Sequence, residues 1–553
     1  MKIKIILPGQ KPFVMEIEKG LRAEEVLTKL PEKPAHQIYG CNIDGYAENL
    51  NFVIEEECTL RFLDITDPYG NMAMQSSLVL LYLKAVHDIL GKEIKVSIAN
   101  SLSKGVFTII HGSPVSEETT RKIENRMQEL VKKNLPISEK EGNRRQILQW
   151  LKQKNRAEEL SLYESAPDIS GGMICALEEE EDLLYYHAVP KTGYLNLFEL
   201  KKYRNGILLR FPHPSSPDLV LPFEEQRLLY EAFSEENHWE KLCGISLARD
   251  LNQAIEKGQE KELIALSEAL HEKKIAEIAE MIHHRGKRII LIAGPSSSGK
   301  TSFAKRLCIQ LRVIGLKPLY LGTDDYFIDR KDLPVGPDGK KDLESLHAVD
   351  INLFTSQMND LLAGKKVDLP TFEFVQGIKE YGKRITSIEA GQPIVIEGIH
   401  ALNPALTEDI PEDVKFRIYI SPLTQLNLDE HHRVPTTDAR MLRRLVRDYR
   451  TRGRSAAETI DDWPSVRAGE EVNIFPYNSQ ADVFFNSQAI YELAVLKKYA
   501  EPLLKGIKVS QPEYSEAQRM LEFLSFFVPL KDESCIANNS IVREFIGGSV
   551  LVS

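Results

Sequence analysis

The sequence predicts a multidomain protein in which α+β segments precede an α/β domain built on a parallel sheet. Its 553 residues exceed what one hydrophobic core usually spans. The first 65 residues alternate apolar and polar positions around one short helical stretch, which is typical of a small β-rich fold. Between residues 288 and 400, apolar runs are followed by glycine-rich or acidic segments, as buried parallel strands often are.

Composition narrows the class of protein. The formal net charge of −11 argues against a general nucleic-acid or membrane-surface binder. The six cysteines are scattered singly, so they indicate reduced thiols and no metal or disulfide framework. No apolar run approaches membrane-spanning length and the first residues do not resemble a signal peptide, so we expect a cytoplasmic protein without a membrane partner.

The periodicity of apolar residues predicts the elements that precede residue 288. Strands are expected at 2–7, 13–17, 52–54 and 59–63, with a helix at 23–30. Further on, the pattern predicts helices at 75–90 and 117–134 and a strand pair around 94–110. From 224 to 284, leucines and isoleucines recur at near-helical spacing between charged residues, which predicts a helical linker over 221–287.

A phosphate-binding loop is the most informative motif. Eight residues match G-x-x-x-x-G-K-[ST] without mismatch, namely Gly294, Pro295, Ser296, Ser297, Ser298, Gly299, Lys300 and Thr301. The expected strand at 289–292 precedes the loop and an amphipathic helix at 302–314 follows it, which disfavours an ordinary Gly-Ser turn. Backbone N–H groups and the helix N-terminus would hold the phosphates of ATP, with Lys300 at the β- and γ-phosphates and Thr301 at Mg²⁺.

Two acids follow later apolar strands. Asp324 comes after the expected strand at 316–322 and is our candidate general base, the alternative being a helix cap. Glu397 follows the strand at 393–396 and suits Mg²⁺ or its bound water. Both acids would lie at the carboxyl edge of a parallel sheet, beside the phosphate loop.

Arginines are dense between residues 438 and 454. Arg440, Arg443, Arg444 and Arg447 share one helical face, which would close over a polyphosphate. A solvated face or a nucleic-acid patch is the alternative interpretation. The phosphate loop upstream favours the closing face.

Taken in order, these motifs resemble the uridine kinase and phosphoribulokinase-like family of P-loop kinases over residues 288–508. The further matching strings lie at 323–327, 369–374, 396–399, 443–448, 452–454 and 481–483. The resemblance implies that Asp324, Lys300 and Arg447 are catalytic and that Thr301, Asp324 and Glu397 surround Mg²⁺. It also implies that Arg447 and Arg452 belong to an ATP lid and that Arg444 and Arg454 face the acceptor.

The acceptor pocket departs from that family. Phe372, Gly377, Asp462, and either His347 or Asp350 stand where uridine kinases have a tyrosine, a histidine, a glutamine and an aspartate. The predicted substrate-binding residues are therefore Asp350, His347, Phe372, Arg444, Arg454 and Asp462. A phenol and an imidazole that could form hydrogen bonds to the acceptor are thus missing. The sequence therefore does not predict uridine as the acceptor, and predicts only a nucleoside.

The front half resembles part of threonyl-tRNA synthetases. Residues 1–65 resemble the TGS β-grasp module, and residues 66–220 resemble the second additional domain that follows it. The zinc ligands of that domain correspond here to Met74, Leu78, Leu184 and Ala188, none of which is a zinc donor of the usual kind. We therefore expect no zinc and no metal-dependent editing of aminoacyl-tRNA. The tail, 509–553, is expected to pack on the kinase part or on a neighbouring subunit of a homo-oligomer.

The sequence thus predicts an ATP- and Mg²⁺-dependent kinase that phosphorylates a hydroxyl of a small molecule. Two alternatives belong to other classes. An ATP-binding sensor or switch is disfavoured by Asp324 and the arginine face. An RNA-associated protein that uses its synthetase-like front half is disfavoured by the net charge and the missing zinc ligands.

Overall fold

The structure is a computed structural model that describes residues 1–333, 335, 344–373, 376–424 and 426–552. It has a mixed α/β, multidomain architecture with three large hydrophobic cores. Among the described residues, no helix combines the length and the apolar character needed to cross a bilayer.

The first 64 residues form a five-stranded sheet with a short helix. The elements are β1 (Lys2–Ile6), β2 (Phe13–Glu16), β3 (Leu21–Arg22), α1 (Ala23–Thr28), β4 (Ile38–Ile43), β5 (Tyr46–Glu48), β6 (Val53–Ile54) and β7 (Thr59–Asp64). The strand order is β2-β1-β7-β4-β5, with β1 and β7 parallel and the other pairs antiparallel. The sequence pattern missed the β4–β5 hairpin. The residues of β4 are buried on both faces and so do not alternate, and β5 is only three residues long.

The next segment combines two antiparallel sheets with four helices. The elements are α2 (Pro68–Leu90), β8 (Val96–Leu102), β9 (Gly105–Ile110), α3 (Glu117–Lys133), β10 (Ser138–Asn143), α4 (Arg144–Gln153), α5 (Ala157–Ser165), β11 (Gly171–Leu177), β12 (Glu180–Leu184), β13 (Glu199–Tyr203) and β14 (Gly206–Arg210). One sheet has the order β10-β11-β12 and the other β13-β14-β9-β8. Helix α2 begins seven residues before the predicted start, because Asp67 caps it and Pro68 occupies its first turn.

Three helices form the predicted helical linker that leads to the parallel sheet. They are α6 (Arg227–Cys243), α7 (Ala248–Glu256) and α8 (Glu260–His284). Gly244 and Gly258 take positive φ angles of 67° and 74° at the two breaks, a conformation that glycine adopts without the strain of a side chain.

The phosphate-loop region is built on a five-stranded parallel sheet. Its elements are β15 (Ile289–Ala293), α9 (Lys300–Val313), β16 (Leu319–Gly322), α10 (Ile351–Leu362), β17 (Val367–Glu373), β18 (Ile378–Thr386), β19 (Ile394–Glu397), α11 (Pro404–Thr407), β20 (Lys415–Ser421), α12 (Thr436–Arg452), α13 (Ala456–Asn473), β21 (Val483–Asn486) and α14 (Glu492–Lys505). The order of the sheet is β16-β19-β15-β20-β21, and β17 and β18 form a separate hairpin. Alternate residues of β15 enter different cores, so the sheet is buried on both faces.

The tail folds back on the rest of the chain. It contributes α15 (Tyr514–Ser525) and α16 (Val542–Ile546). Met520, Phe523, Val542 and Phe545 are buried in the same core as α9 and α12. Of the two sequence-based alternatives for the tail, the structure therefore shows packing within the chain.

Strand β8 and the segment after β20 join the front half to the phosphate-loop region. The N–H of Ile98 donates to the carbonyl of Glu430 at 2.8 Å, and Asn427 Nδ2 donates to the carbonyl of Ile98 at 2.9 Å. His431 Nδ1 lies 2.7 Å from an oxygen of Asp182, which is buried. These contacts are polar and specific, so they fix how the two parts meet.

Candidate active site

The phosphate loop connects β15 to α9 and its backbone leaves little room for larger residues. A Cβ on Gly294 would lie 2.0 Å from the carbonyl oxygen of Ile420, so only glycine fits there. Gly299 has a φ of 83° and Ser297 a φ of 61°, which places a non-glycine residue in the left-handed region. Strain of this kind persists only where the surroundings impose it, and it is concentrated at ligand-binding loops.

Buried ion pairs impose the shape of the loop. Arg440 Nε donates to the carbonyl of Ser296 at 3.0 Å, and Arg443 Nη1 donates to that of Ser297 at 3.2 Å. Arg440 also pairs with Glu470, and Arg443 with Glu492. Both arginines are buried and fully engaged, so the prediction that they close over a polyphosphate is wrong. They share the predicted helical face, but that face meets acidic residues and loop carbonyls.

Glu470 itself binds the loop. Its Oε1 accepts a hydrogen bond from the N–H of Ser296 at 3.0 Å, while Arg467 Nη1 donates to Oε2 at 2.9 Å. Sequence reasoning missed this residue because nothing in the pattern of α13 indicates a contact 174 positions away. Removal of one partner from a buried pair of this kind typically costs about 3–5 kcal/mol, so Arg440 and Glu470 are structural supports of the loop.

Lys300 lies over the loop. Its Nζ donates to the carbonyls of Gly294 at 2.9 Å and Pro295 at 3.1 Å. Burial lowers the pKa of Lys300, although the nearby charges of Glu397 and Asp324 oppose that shift. An ammonium held by two carbonyls can exchange them for phosphate oxygens, which are stronger acceptors because they carry charge.

The hydroxyls of the loop fit a phosphate ligand. In the described part of the chain, Ser297 Oγ and Ser298 Oγ are buried and have no hydrogen-bond partner. Buried polar atoms are rarely left unpaired, and those that are unpaired frequently mark a ligand site. With the N–H groups at the start of α9, they form a cradle suited to an anion.

Thr301, Asp324 and Glu397 come together beside the loop. Thr301 Oγ1 and Tyr320 Oη each donate to Glu397 Oε1 at 3.1 Å. Glu397 ends β19 and Asp324 follows β16, and these two strands are neighbours in the parallel sheet. The three predicted metal ligands are therefore adjacent, and their hydroxyl and carboxylate oxygens are the donors that Mg²⁺ prefers.

The surrounding protein raises the pKa values of both Glu397 and Asp324. Burial raises the pKa of Glu397 to about 7, and the charge of Asp324 adds to the effect. Asp324 keeps exposed surface although protein atoms crowd around it. This crowding raises the pKa of Asp324, with Lys300 and Arg452 opposing the shift. Two carboxylates with raised pKa values beside a lysine are characteristic of catalytic sites.

Three other arginines of α12 surround the buried Asp448. Arg447 lies 2.8 Å from Asp448 Oδ1, Arg452 lies 3.5 Å from the same atom, and Arg444 Nε lies 3.4 Å from Oδ2. Arg444 Nη1 also donates to Ser296 Oγ at 2.8 Å. Arg452 is half exposed and its charge lowers the pKa of Asp324, so this side chain faces the acids. Arg447 also lies near Lys300, and the role of Arg447 and Arg452 in an ATP lid stays a prediction.

The predicted acceptor residues do not form one cluster. Asp350 caps α10 and pairs with Lys379 at 2.5 Å, and Arg454 and Asp462 pair with each other. His347 is exposed. Phe372 is buried against Phe327, while Gly377 packs against Arg330; Phe374 of the same motif lies outside the described residues. The role of these residues in substrate binding stays a prediction.

Glu344 lies near the site but is not among the predicted site residues. The pKa of Glu344 is raised by burial and by Glu470, and is influenced by Arg444, Lys300 and Asp324. Glu344 therefore lies near the phosphate loop, the arginines of α12 and Asp324. Its sequence neighbourhood carries no motif that would have drawn attention to it.

The four positions that correspond to zinc ligands in the synthetase-like segment lie in one hydrophobic core. Met74, Leu78, Leu184 and Ala188 are all buried there. Over the ranges that the structure describes, no group of three or more histidine, cysteine or acidic side chains has an arrangement suited to a metal ion. The nearby His187 contacts Glu139 at 3.2 Å.

A phosphate loop after the central strand of a parallel sheet, with acids at the ends of neighbouring strands, defines the P-loop class of nucleotide-binding proteins. Residues 289–494 match the model of the Phosphoribulokinase / Uridine kinase family. A uridine kinase from Lactobacillus helveticus is 30% identical over 175 residues, which cover 32% of this chain and 74% of that enzyme. Another, from Ligilactobacillus salivarius, is 27% identical over 223 residues, or 39% of this chain and 95% of that enzyme. The chain belongs to this family.

The N-terminal part is similar to a different enzyme. A threonine–tRNA ligase from Thermotoga petrophila is 30% identical over 206 residues, which cover 36% of this chain and 30% of the ligase. The chain thus spans less than a third of the length of that relative. Both resemblances predicted from the sequence, to uridine kinases and to threonyl-tRNA synthetases, are confirmed.

Proposed function

We propose that this protein is an ATP- and Mg²⁺-dependent kinase that transfers the γ-phosphoryl group to a hydroxyl, with a nucleoside as the acceptor class. The observation that carries the proposal is the cluster of Lys300, Thr301, Asp324 and Glu397 around the phosphate loop. Membership of the phosphoribulokinase and uridine kinase family supports it.

The loop would bind and orient the triphosphate. The donors would be the backbone N–H groups at the start of α9, the two unpaired serine hydroxyls and the Lys300 ammonium. Phosphoryl transfer needs mainly positioning and neutralisation of charge. Arg447 and Arg452 would supply further positive charge, since Arg447 lies near Lys300 and Arg452 lies near Asp324.

Asp324 would act as the general base. The acceptor oxygen forms a bond to the γ-phosphorus while the bond from that phosphorus to the β–γ bridging oxygen breaks, so that ADP leaves. The hydroxyl proton passes to the carboxylate of Asp324. A carboxylate whose pKa is raised by partial burial holds a proton better than an ordinary aspartate and is therefore a stronger base.

Thr301, Glu397 and Asp324 would hold the metal. When bound, Mg²⁺ supplies neutralisation of the charge on the β- and γ-phosphate oxygens. The hydrogen bond from Thr301 to Glu397 keeps both oxygens on the same side of the loop before a metal arrives. Since the pKa of Glu397 is about 7, the protein would bind the cation more readily as the pH rises.

The choice of a nucleoside rests on the uridine kinases to which the chain is similar. Within the acceptor region, Phe372 and Gly377 provide no polar side-chain group where a hydroxyl and an imidazole would be expected. A site without those two hydrogen-bonding groups selects among nucleoside bases differently from a site that has them. We therefore infer that the preferred nucleoside is not necessarily uridine.

The experiment is a panel of nucleosides and simple alcohols, with ADP release and phosphate-ester formation measured together. The proposal predicts equal amounts of ADP and ester with at least one nucleoside, and loss of both in the D324N variant. Binding of ATP without ester formation for any acceptor would favour the ATP-binding sensor instead. The matched control is D482N, which removes a carboxylate at the far end of the sheet near Arg285.

We further propose that the front half supports the kinase and performs no editing. Residues 1–65 would be a TGS-like module, 66–220 a synthetase-like module without zinc, 221–287 a linker, 288–508 the kinase domain and 509–553 its tail. The buried apolar side chains at Met74, Leu78, Leu184 and Ala188 support the absence of a zinc site from the second module.

A further inference from the structure

The last residues of the chain lie against the phosphate loop. We call residues 540–552 the tail segment. Ile541 and Phe545 are buried, and the ring of Phe545 lies 4.7 Å from the guanidinium of Arg443, which supports the loop. A Cβ on Gly299 would lie 2.6 Å from Ile541 Cγ2, so the tail segment touches the loop backbone itself.

A carboxylate of the tail segment occupies donors at the start of α9. Glu544 Oε2 accepts from Ser302 Oγ at 2.6 Å and from the N–H of Ser302 at 3.3 Å. Ser302 follows Thr301 directly, and its N–H is one of those that an α-helix leaves unpaired in its first turn. In a phosphate loop, N–H groups of this set bind phosphate oxygens.

Basic side chains of α9 and α12 are also engaged by the tail segment. Arg450 donates to the carbonyls of Glu544 and Phe545 at 3.0 Å and 3.1 Å. Lys305 Nζ donates to the carbonyl of Leu551 at 2.5 Å. The tail segment thus presents one carboxylate and three carbonyl oxygens to groups that would otherwise attract an anion.

We propose that the tail segment is a built-in competitor of ATP, which must leave the start of α9 before the nucleotide binds in full. The proposal rests on the proposed function and concerns its nucleotide. Glu544 and a phosphate would both require the Ser302 donors, and two negative charges that share these donors would repel each other. Only molecules with an undocked tail segment would bind ATP in full. The apparent affinity for ATP would therefore fall in proportion to the fraction of undocked molecules.

The first test compares binding of a non-hydrolysable ATP analogue to the full-length wild type and to E544Q. Glutamine keeps an oxygen that can accept from Ser302 but removes the charge. We expect binding to become tighter on the order of tenfold. The control variant is E533Q. The carboxylate of Glu533 accepts a hydrogen bond of 2.6 Å from Tyr499 and does not contact the phosphate loop, so this substitution should leave the affinity unchanged. Unchanged or weaker binding by folded E544Q would overturn the proposal.

The second test needs no variant. Hydrogen–deuterium exchange of peptides from 536–552 is followed in the wild type with and without the ATP analogue and Mg²⁺. The proposal predicts faster exchange of the tail segment when the nucleotide binds. Unchanged or slower exchange at saturating nucleotide would identify the segment as a permanent support and contradict the proposal.

The failure of this proposal and that of the proposed function are distinguishable. Both tests measure nucleotide binding and neither needs an acceptor. Tighter binding in E544Q without any phosphate ester would leave the competitor intact and refute the kinase. Formation of the phosphate ester, together with equal ATP-analogue affinities of E544Q and the wild type, would support the kinase and refute the competitor.

Discussion

Glu397 provides the sharpest test of the electrostatics of the site. In the native protein its pKa is about 7, against an ordinary value of 4.5, chiefly because it is buried. The folded state therefore retains this proton to a higher pH than the unfolded chain does. Ionisation of Glu397 costs stability progressively between pH 4.5 and 7 and in full above pH 7. The E397Q variant removes that cost and keeps an oxygen that accepts from Thr301 and Tyr320.

The magnitude follows from the two pKa values. Each pH unit between them corresponds to about 1.36 kcal/mol, so E397Q should be more stable than the wild type by about 3 kcal/mol above pH 8. At pH 5.5 the gain should fall to about 1 kcal/mol. Because the charge of Asp324 contributes to the raised pKa, the gain should also shrink when D324N is present in both proteins.

The assay is urea unfolding in EDTA without nucleotide, at pH 5.5 and pH 8.5. A multidomain chain unfolds in several steps, so the relevant transition is the one that Mg²⁺ and an ATP analogue shift in the wild type. The control is E389Q, which changes an exposed carboxylate paired with Lys317 at 3.4 Å and should alter stability by less than about 0.5 kcal/mol at either pH. A gain in E397Q that is the same at both pH values, or a loss at pH 8.5, would refute the reasoning.

Three further predictions concern the same loop. The D324N variant should reduce turnover by about 10²–10⁴-fold because it lacks the general base, while binding of an ATP analogue by calorimetry stays close to that of the wild type. The apparent affinity for Mg²⁺ in the presence of the analogue should fall about tenfold for each pH unit below 7, since Glu397 must lose its proton; a flat profile would contradict this. The S297G variant should raise thermal stability by roughly 1 kcal/mol by relieving a left-handed serine, whereas G299A should lower it because the new Cβ would strike Ile541.

Local signals in the sequence were sufficient to predict the phosphate loop and the two acids beside it. The strand before the loop, the loop itself and the helix after it are contiguous, and the structure has them at Ile289–Ala293, 294–299 and Lys300–Val313. Asp324 and Glu397 could be selected because each follows a buried parallel strand, and such strands end at one edge of the sheet. Their adjacency needed only the fold class, without any detail of packing.

The long-range contacts of the loop and of the start of α9 could not be predicted in the same way. Glu470 and Glu544 reach it from positions 174 and 242 residues further along the chain, and no short pattern encodes such a return. Helical periodicity placed Arg440 and Arg443 on one face correctly. It could not reveal that this face meets Glu470 and Glu492, which fixes the two arginines as supports of the loop.

Some element boundaries were missed although the signals were present. Asp67 followed by Pro68 is a characteristic start of a helix, yet the apolar pattern alone placed the start of α2 at residue 75. Gly244 and Gly258 likewise divide the predicted helical linker into three helices, at positions that the leucine spacing does not indicate. In both cases capping chemistry decided the boundary, since periodicity reports the buried face and not the ends.

The central claim is that Asp324 takes the proton of an acceptor hydroxyl while ATP lies in the phosphate loop. The most direct measurement is the formation of a phosphate ester from ATP and a nucleoside, followed by ³¹P NMR for the wild type and D324N under saturating ATP and Mg²⁺. The account predicts a new ester signal that grows together with ADP in the wild type and is lost in D324N. An ester signal of equal rate in both proteins, or none with any acceptor in the panel despite bound ATP, would contradict it.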